Sequence, residues 1–237
     1  MTSRHVPDPL RIFATILRPS PAVLLAGVAV LAWAGYTAWN SPGEMRAVYV
    51  VLLLCQSFSA ASGFLHRARR GHFDPMLVAP APRARVALAH ATASIAPGIV
   101  TWLLVTVVEF STNHRAVPLG LTLPSLSAVL YMSAVSWAAA LPFARYSSGV
   151  AWLIVAIGLA GAGKLLTLRQ AYVAAVESTA GSWKAAAAAL VFPPLMVTEP
   201  SGPMALSTFV VLGAAVAAAG IGVLALEIVD FPLEDPS

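Results

Sequence analysis

The stretch PAVLLAGVAVLAWAGYTAW, residues 21–39, decides the class of this fold. It contains no Asp, Glu, Lys or Arg. About 20 consecutive apolar residues are what an α-helix needs to cross the roughly 30 Å hydrocarbon core of a bilayer. We therefore predict a transmembrane helix here, with Trp33, Tyr36 and Trp39 toward one end, where interfacial aromatic residues are expected.

The composition of the whole chain extends this prediction to a polytopic membrane protein. Of 237 residues, 59% are hydrophobic and 10% are charged, and the mean hydropathy is +0.81. Soluble domains carry roughly 25% charged residues. A soluble chain of this length could not cover so much apolar surface with polar side chains, whereas lipid covers it in a membrane. A soluble globular domain is therefore excluded.

Similar apolar runs recur along the chain and predict six transmembrane helices in an all-α fold. Their ranges are 21–39, 46–64, 86–108, 124–144, 149–166 and 205–229. The third contains Pro97 and Gly98, which a membrane helix tolerates where its neighbours satisfy the freed carbonyl. We expect one transmembrane domain over residues 1–237.

The distribution of basic residues predicts the orientation, because Lys and Arg are enriched in cytoplasmic loops. The segments before span one, between spans two and three, and after span four are rich in arginine: Arg4, Arg11, Arg18, Arg67, Arg69, Arg70, Arg83, Arg85 and Arg145. The opposite loops are poorer in Lys and Arg for their length. We therefore expect both termini in the cytoplasm.

Two further segments are predicted to be neither span nor simple loop. Residues 8–18, DPLRIFATILR, place apolar residues on one side at helical spacing and predict an amphipathic helix in the cytoplasmic interface, with a disordered tail as the alternative. Residues 167–204 are moderately apolar but interrupted by Pro193 and Pro194. They are expected to form short helices that dip into the outer leaflet.

The stretch GLAGAGKLL, residues 158–166, resembles a phosphate-binding loop but fails its requirements. Such a loop needs Ser or Thr after the lysine to hold magnesium, and Leu165 stands there. It also needs a surrounding α/β domain, and no such alternation is present. The glycines are better explained as small residues that let membrane helices approach closely. We expect the chain not to hydrolyse ATP by itself.

The inner loop HRARRGHFDPMLVAPAPRARVALAH, residues 66–90, carries the most functional information. Asp74 and Pro75 can start a short helix, after which Met76 and Leu77, with Phe73, present an apolar surface between arginine clusters. This surface could dock a partner protein. It could equally lie on the membrane with its arginines on lipid phosphates, and chemistry alone leaves both possibilities open.

The pattern of this loop resembles that of the ABC-2 type transporter permeases: basic residues, Gly, an acid, Leu-x-x-Pro, then Arg and a new span. In that family the segment is a coupling helix that sits in a groove of a separate ATPase subunit. The resemblance implies ATPase-coupling roles, within a segment at 66–85, for Arg70, Gly71, His72, Phe73, Asp74, Pro75, Met76, Leu77, Val78, Ala79, Pro80 and Arg83. Asp74 stands where the family often has Glu, and Pro75 is an added proline.

The resemblance implies a half-transporter in a bacterial plasma membrane. It would pair with a second permease subunit, identical or different, and with ATPase subunits that bind ATP and Mg²⁺, while this chain binds no cofactor directly and no nucleic acid. Spans one, two and five would form the substrate pathway. Their polar and aromatic residues are the candidate lining: Trp33, Tyr36, Gln56, Ser59 and Trp152. Gln56 must find a partner in mid-membrane, which could be another helix, water or substrate.

Other chemistry is sparse. The five histidines lack metal-site spacing, and no paired acids lie in mid-span. Glu109 is expected to pair with Arg115 or His114, with proton transfer as the alternative. The resemblance thus implies an ATP-driven exporter permease, and the apolar character of its predicted spans favours hydrophobic or amphipathic substrates. Two alternatives are a non-transporting membrane scaffold derived from such a permease and, less well supported, an intramembrane enzyme, for which no nucleophile–base pair is evident.

Overall fold

The computed structural model of this protein describes residues 21–69, 83–112, 119–141, 173, 182–198 and 206–228. Seven α-helices lie in these residues: α1 Pro21–Asn40, α2 Met45–Arg69, α3 Arg83–Thr112, α4 Leu123–Ala140, α5 Ser182–Val191, α6 Leu195–Thr198 and α7 Leu206–Ile228. Short 3-10 turns at Pro42–Glu44 and Leu119–Leu121 precede α2 and α4. The described ranges contain no strand, which agrees with the all-α prediction.

Five of these helices, α1, α2, α3, α4 and α7, are long and apolar enough to cross a membrane. They fall on the first, second, third, fourth and sixth predicted spans. The predicted fifth span, 149–166, lies outside the described residues. By the length and composition of these five helices, the chain is a helical, multi-pass membrane protein.

Other predicted segments are described only in part. The interfacial helix at 8–18 and residues 70–82 of the coupling segment lie outside the described residues. Since α2 ends at Arg69 and α3 begins at Arg83, the coupling segment joins these two helices. Within 167–204, α5 and α6 are separated by a turn at Pro193 and Pro194, where the missing N–H groups of proline interrupt a helix.

The direction of the helices is clear from two apolar core clusters. One cluster lies toward the α1–α2 turn, which we call the first end of the bundle: it includes Val48, Leu52, Trp102, Val129 and Val211. The other lies where α2 ends and α3 begins, which we call the second end: it includes Ala61, Phe64, Ala91, Trp137 and Leu226. Successive helices α1 to α4 therefore run antiparallel, and α4 and α7 run in the same direction.

Helix α4 is the centre of the bundle and packs against α2, α3 and α7. Its first turn carries Pro124, which needs no N–H partner there, and Thr122 before it is extended. Its serines are buried, and Ser136 hydrogen-bonds Ser57 of α2. Small polar side chains stabilise helix pairs in lipid by about 0.6–2 kcal/mol each, since burial of apolar surface does not drive association there.

Close contact between α4 and α7 depends on a glycine. A Cβ atom at Gly222 would overlap the indole ring of Trp137, which is fully buried. The two peripheral helices are α1 and α7, since 22% of the residues in their apolar spans are buried, against 56% for α2 and α4.

Candidate functional site

A partly open groove lies between α1, α2 and α3, with about 280 Å³ of empty space that includes space outside the protein. Eleven residues line it, and none of them is charged: Val23, Ala26, Gly27 and Val30 of α1, Leu52, Cys55, Gln56 and Ser59 of α2, and Pro97, Gly98 and Thr101 of α3. Because all three helices are candidate spans, the groove lies inside the apolar layer. An uncharged groove inside this layer suits an apolar occupant better than an ion.

Gln56 is the most polar residue of the groove and is only 2% exposed. Its Nε2 donates a hydrogen bond to Ser133 of α4. The hydroxyl of Ser133 in turn donates to the carbonyl of Val129 at 2.7 Å, so that Ser133 can only accept from Gln56. This arrangement places the amide nitrogen, and not the amide oxygen, on Ser133.

The amide oxygen of Gln56 differs from the amide nitrogen in its hydrogen bonding. Oε1 is buried and has no hydrogen-bond partner among the described residues. A buried polar atom without a partner costs about 1–3 kcal/mol. Of the three partners that the sequence left open for Gln56, another helix bonds its nitrogen, while its oxygen has no partner among the described residues.

The wall opposite Gln56 is shaped by Pro97 and Gly98 of α3. A Cβ atom at Gly98 would overlap the Gln56 side chain, so only glycine leaves this side chain its present place. Pro97 has no N–H group and leaves the helix one backbone hydrogen bond short. Thr101 donates to the carbonyl of Pro97 at 2.9 Å. A Cβ at Gly27 of α1 would come within 3.3 Å of the Thr101 hydroxyl oxygen, so α1 approaches α3 closely at a glycine.

A second polar cluster lies at the first end of the bundle and joins α2 to α3. We call Tyr49, Trp102, Thr106 and Glu109 the first-end cluster. The hydroxyl of Tyr49 donates to Oε2 of Glu109 at 2.7 Å and lies 3.2 Å from Oγ1 of Thr106. The Tyr49 and Trp102 rings pack with centroids 4.6 Å apart and planes tilted by 55°. Tyr49 is fully buried, and Glu109 is 8% exposed.

The first-end cluster also holds the connection between α3 and α4. Nε1 of Trp102 donates to the carbonyl of Gly120 at 3.2 Å, and the hydroxyl of Thr106 donates to the carbonyl of Trp102 at 2.9 Å. A Cβ at Gly120 would overlap Oγ1 of Thr106. The cluster therefore couples α2, α3 and the turn before α4 through polar contacts.

The predicted pathway residues separate into three groups. Gln56 and Ser59 line the groove together. Trp33 and Tyr36 are not among its lining residues in the described part of the chain; they lie on an outer face of α1, with Tyr36 69% exposed. Trp152 lies outside the described residues.

The predicted coupling residues from Arg70 to Pro80 also lie outside the described residues, and Arg83 is the first residue of α3. The glycine-rich stretch 158–166 is likewise not described. For Glu109, the expected partners Arg115 and His114 fall outside the described residues, and that pairing stays a prediction. Within the described residues, the hydroxyl of Tyr49 donates a hydrogen bond to Glu109.

Three residues that take part in these polar contacts were not predicted from the sequence: Ser133 and Ser136 of α4 and Ser57 of α2. Ser133 and Ser136 are three residues apart in an apolar run, which places both on one helix face. That face meets Gln56 and Ser57, which are adjacent in α2. Paired serines in a predicted span, facing an amide in another span, are a signal that could have been used.

No group of three metal-ligating side chains comes together in the described ranges. His90 is fully buried near the second end and meets Phe64 edge-on, with ring centroids 6.3 Å apart. This contact packs α3 against α2 close to the start of the coupling segment.

Comparisons of this chain with protein-family models, with curated proteins and with solved structures found no match. The functional argument therefore depends on the chemistry and placement of the chain's own residues.

Proposed function

We propose that this chain is the permease subunit of an ATP-driven exporter in a bacterial inner membrane, moving a hydrophobic or amphipathic substrate. It would work with a separate ATPase subunit, which binds ATP and Mg²⁺, and with a second permease subunit. Both termini would lie in the cytoplasm, and six helices would cross the membrane. The common direction of α4 and α7 supports the sixth crossing. The chain leaves α4 at the second end of the bundle, at Leu141, and enters α7 at the first end, at Leu206. The residues between them would therefore have to cross the membrane once more.

One connection carries the proposal. The segment whose sequence resembles a coupling helix joins α2 to α3, and these two helices form two of the three walls of the groove. A push on this segment would therefore act on both walls at once. Phe64 and His90, which pack together at the second end, place the two helices in contact next to that segment.

The groove supports a hydrophobic or amphipathic substrate. Its lining is apolar except for an amide and two hydroxyls, and it has no charged side chain. A small number of polar groups in an apolar concavity is the usual composition of a small-molecule site.

Co-purification tests the docking step. The chain is expressed together with the genes that neighbour its own, purified in mild detergent, and assayed for bound ATPase activity. We expect the wild type to retain the ATPase and the Phe73→Asp, Leu77→Asp double variant to lose it, because two charges would enter an apolar contact.

The matched control places the same charges at the first end of the bundle. Trp39 is 83% exposed and Leu121 is 53% exposed. The Trp39→Asp, Leu121→Asp double variant should retain the ATPase. If the wild type carries no ATPase, or if both double variants keep it equally, coupling through the 66–85 segment is refuted.

Transport itself is tested in vesicles. ATP-dependent uptake of a fluorescent hydrophobic dye into inside-out vesicles should require both this chain and the ATPase. A complex that hydrolyses ATP but moves none of a panel of such dyes would favour the scaffold function instead.

A further inference from the structure

We infer that the groove between α1, α2 and α3 binds an uncharged amphiphile through a hydrogen bond from its hydroxyl or amide N–H to Oε1 of Gln56. The inference deepens the proposed function and depends on it only in treating the occupant as a substrate. Three features of the groove support it: the polar contact, the absence of charge and the apolar walls.

The polar contact has to be a donor. Nε2 of Gln56 donates to Ser133, whose own proton goes to the carbonyl of Val129. The amide therefore presents an acceptor that has no partner among the residues the structure describes. The last torsion of a glutamine side chain is broad, so a small rotation of the amide can bring this oxygen to an occupant. A molecule that only accepts hydrogen bonds gains nothing here.

The occupant has to be neutral. None of the side chains that line the groove carries a charge, and the groove lies within the apolar layer. A charged head group would lose its hydration without finding an opposite charge, which costs far more than one hydrogen bond returns.

The walls of the groove suit an apolar molecule: Val23, Val30 and Leu52 provide them. Because the groove is open, its empty space of about 280 Å³ includes space outside the protein, so it admits the polar end of an amphiphile and not the whole molecule. The alkyl chain would extend into the surrounding lipid, with the hydroxyl or N–H at Gln56.

Binding of tritiated 1-hexadecanol to the purified chain in lipid nanodiscs tests the inference. Competitors are unlabelled 1-hexadecanol, hexadecyl methyl ether, which cannot donate, and hexadecyl phosphate, which is charged. Empty nanodiscs give the background from partition into lipid. We expect saturable binding, with the ether weaker than the alcohol by roughly three- to tenfold, the value of one hydrogen bond. The phosphate should be the weakest competitor.

Two variants identify the site. Gln56→Leu should bind the alcohol and the ether equally, because the acceptor is gone. Ala26→Phe fills the groove from α1, leaves Gln56 in place and should abolish saturable binding. Ser57→Ala is the matched control: it removes a buried bond of the same α2–α4 interface away from the groove and should keep the preference for the alcohol.

Several results would overturn the inference. The first is equal binding of alcohol and ether to the wild type. The second is a preference for the alcohol that persists in Gln56→Leu. The third is that Ala26→Phe loses both saturable binding and a dimer, which would make the groove an interface between copies of the chain. The assay contains no ATPase. If the alcohol binds but no ATPase co-purifies, the binding site stands and coupling to an ATPase is refuted. If an ATPase co-purifies but the alcohol does not bind, coupling stands and the binding site is refuted.

Discussion

The groove at Gln56 and the first-end cluster at Tyr49 are two polar sites in the same apolar bundle. They differ in how many of their polar atoms have hydrogen-bond partners. In the first-end cluster the Tyr49 hydroxyl, the Thr106 hydroxyl and the Trp102 indole N–H all have protein partners. At the groove, one oxygen of a buried amide has none in the described part of the chain.

This difference separates a structural cluster from a candidate binding site. A completed network rigidifies the helices that it joins. A network with an unpartnered buried atom destabilises the unoccupied protein. Binding of a ligand that donates a hydrogen bond to that atom removes the penalty. We therefore expect mutations in the first-end cluster to change stability and mutations at the groove to change binding.

The largest effect is expected from Tyr49→Ala. It removes a fully buried ring, its packing on Trp102 and its bond to Glu109. The free energy of unfolding should fall by about 3–5 kcal/mol, as for other large buried aromatic residues. SDS titration in mixed micelles, followed by circular dichroism, measures it.

Tyr36→Ala is the control for this variant, since Tyr36 is 69% exposed on α1. It should change the free energy of unfolding by less than about 1 kcal/mol. Equal losses in both variants would mean that the first-end cluster is not a structural element.

Tyr49→Phe isolates the hydrogen bonds of the cluster from its packing. The ring stays, but the buried carboxyl of Glu109 loses the donor at 2.7 Å. The free energy of unfolding should fall by about 1–3 kcal/mol. The same SDS titration measures it, and an unchanged midpoint would show that the Tyr49 hydroxyl contributes no stability.

Gly98→Ala tests the wall of the groove. The added methyl group overlaps the Gln56 side chain and has to displace it, which should cost about 1–3 kcal/mol. Gly35→Ala in α1 is the matched control, because an added Cβ there meets nothing within 4 Å. The control should be neutral or slightly more stable. A neutral Gly98→Ala would contradict the described position of Gln56.

The smallest stability effect is expected from Gln56→Leu. It removes one hydrogen bond to Ser133 but also removes a buried oxygen that has no partner, and these two changes oppose each other. We expect a change of less than about 1 kcal/mol in the SDS titration. A loss as large as that of Tyr49→Phe would show that Gln56 is mainly structural.

The positions of the described spans could be predicted from the sequence because crossing a membrane is a local property. A run of apolar residues of the right length forms a helix wherever it packs, since every backbone group is satisfied inside the helix. The predicted span 21–39 corresponds to the helix Pro21–Asn40, and the predicted span 205–229 corresponds to the helix Leu206–Ile228. The two prolines at 193 and 194 likewise marked the break between α5 and α6.

Within the groove, the sequence identified Gln56 and Ser59 but grouped them with Trp33 and Tyr36. All four are polar or aromatic residues of the first two spans. Periodicity cannot separate a lipid-facing side of a helix from a groove-facing side when both are apolar. The structure separates them, with Trp33 and Tyr36 on an outer face of α1.

What the sequence determined by itself is the class of the protein, the bounds of its apolar helices and the need of Gln56 for a partner, because each follows from composition or from a few neighbouring residues. Which partner Gln56 finds was decided only by the tertiary structure. Ser133 is 77 residues away, and Glu109 meets Tyr49 across 60 residues. Helix packing brings such distant positions together. Among the described residues it leaves one oxygen of Gln56 without a partner, in a groove that Gly98 shapes.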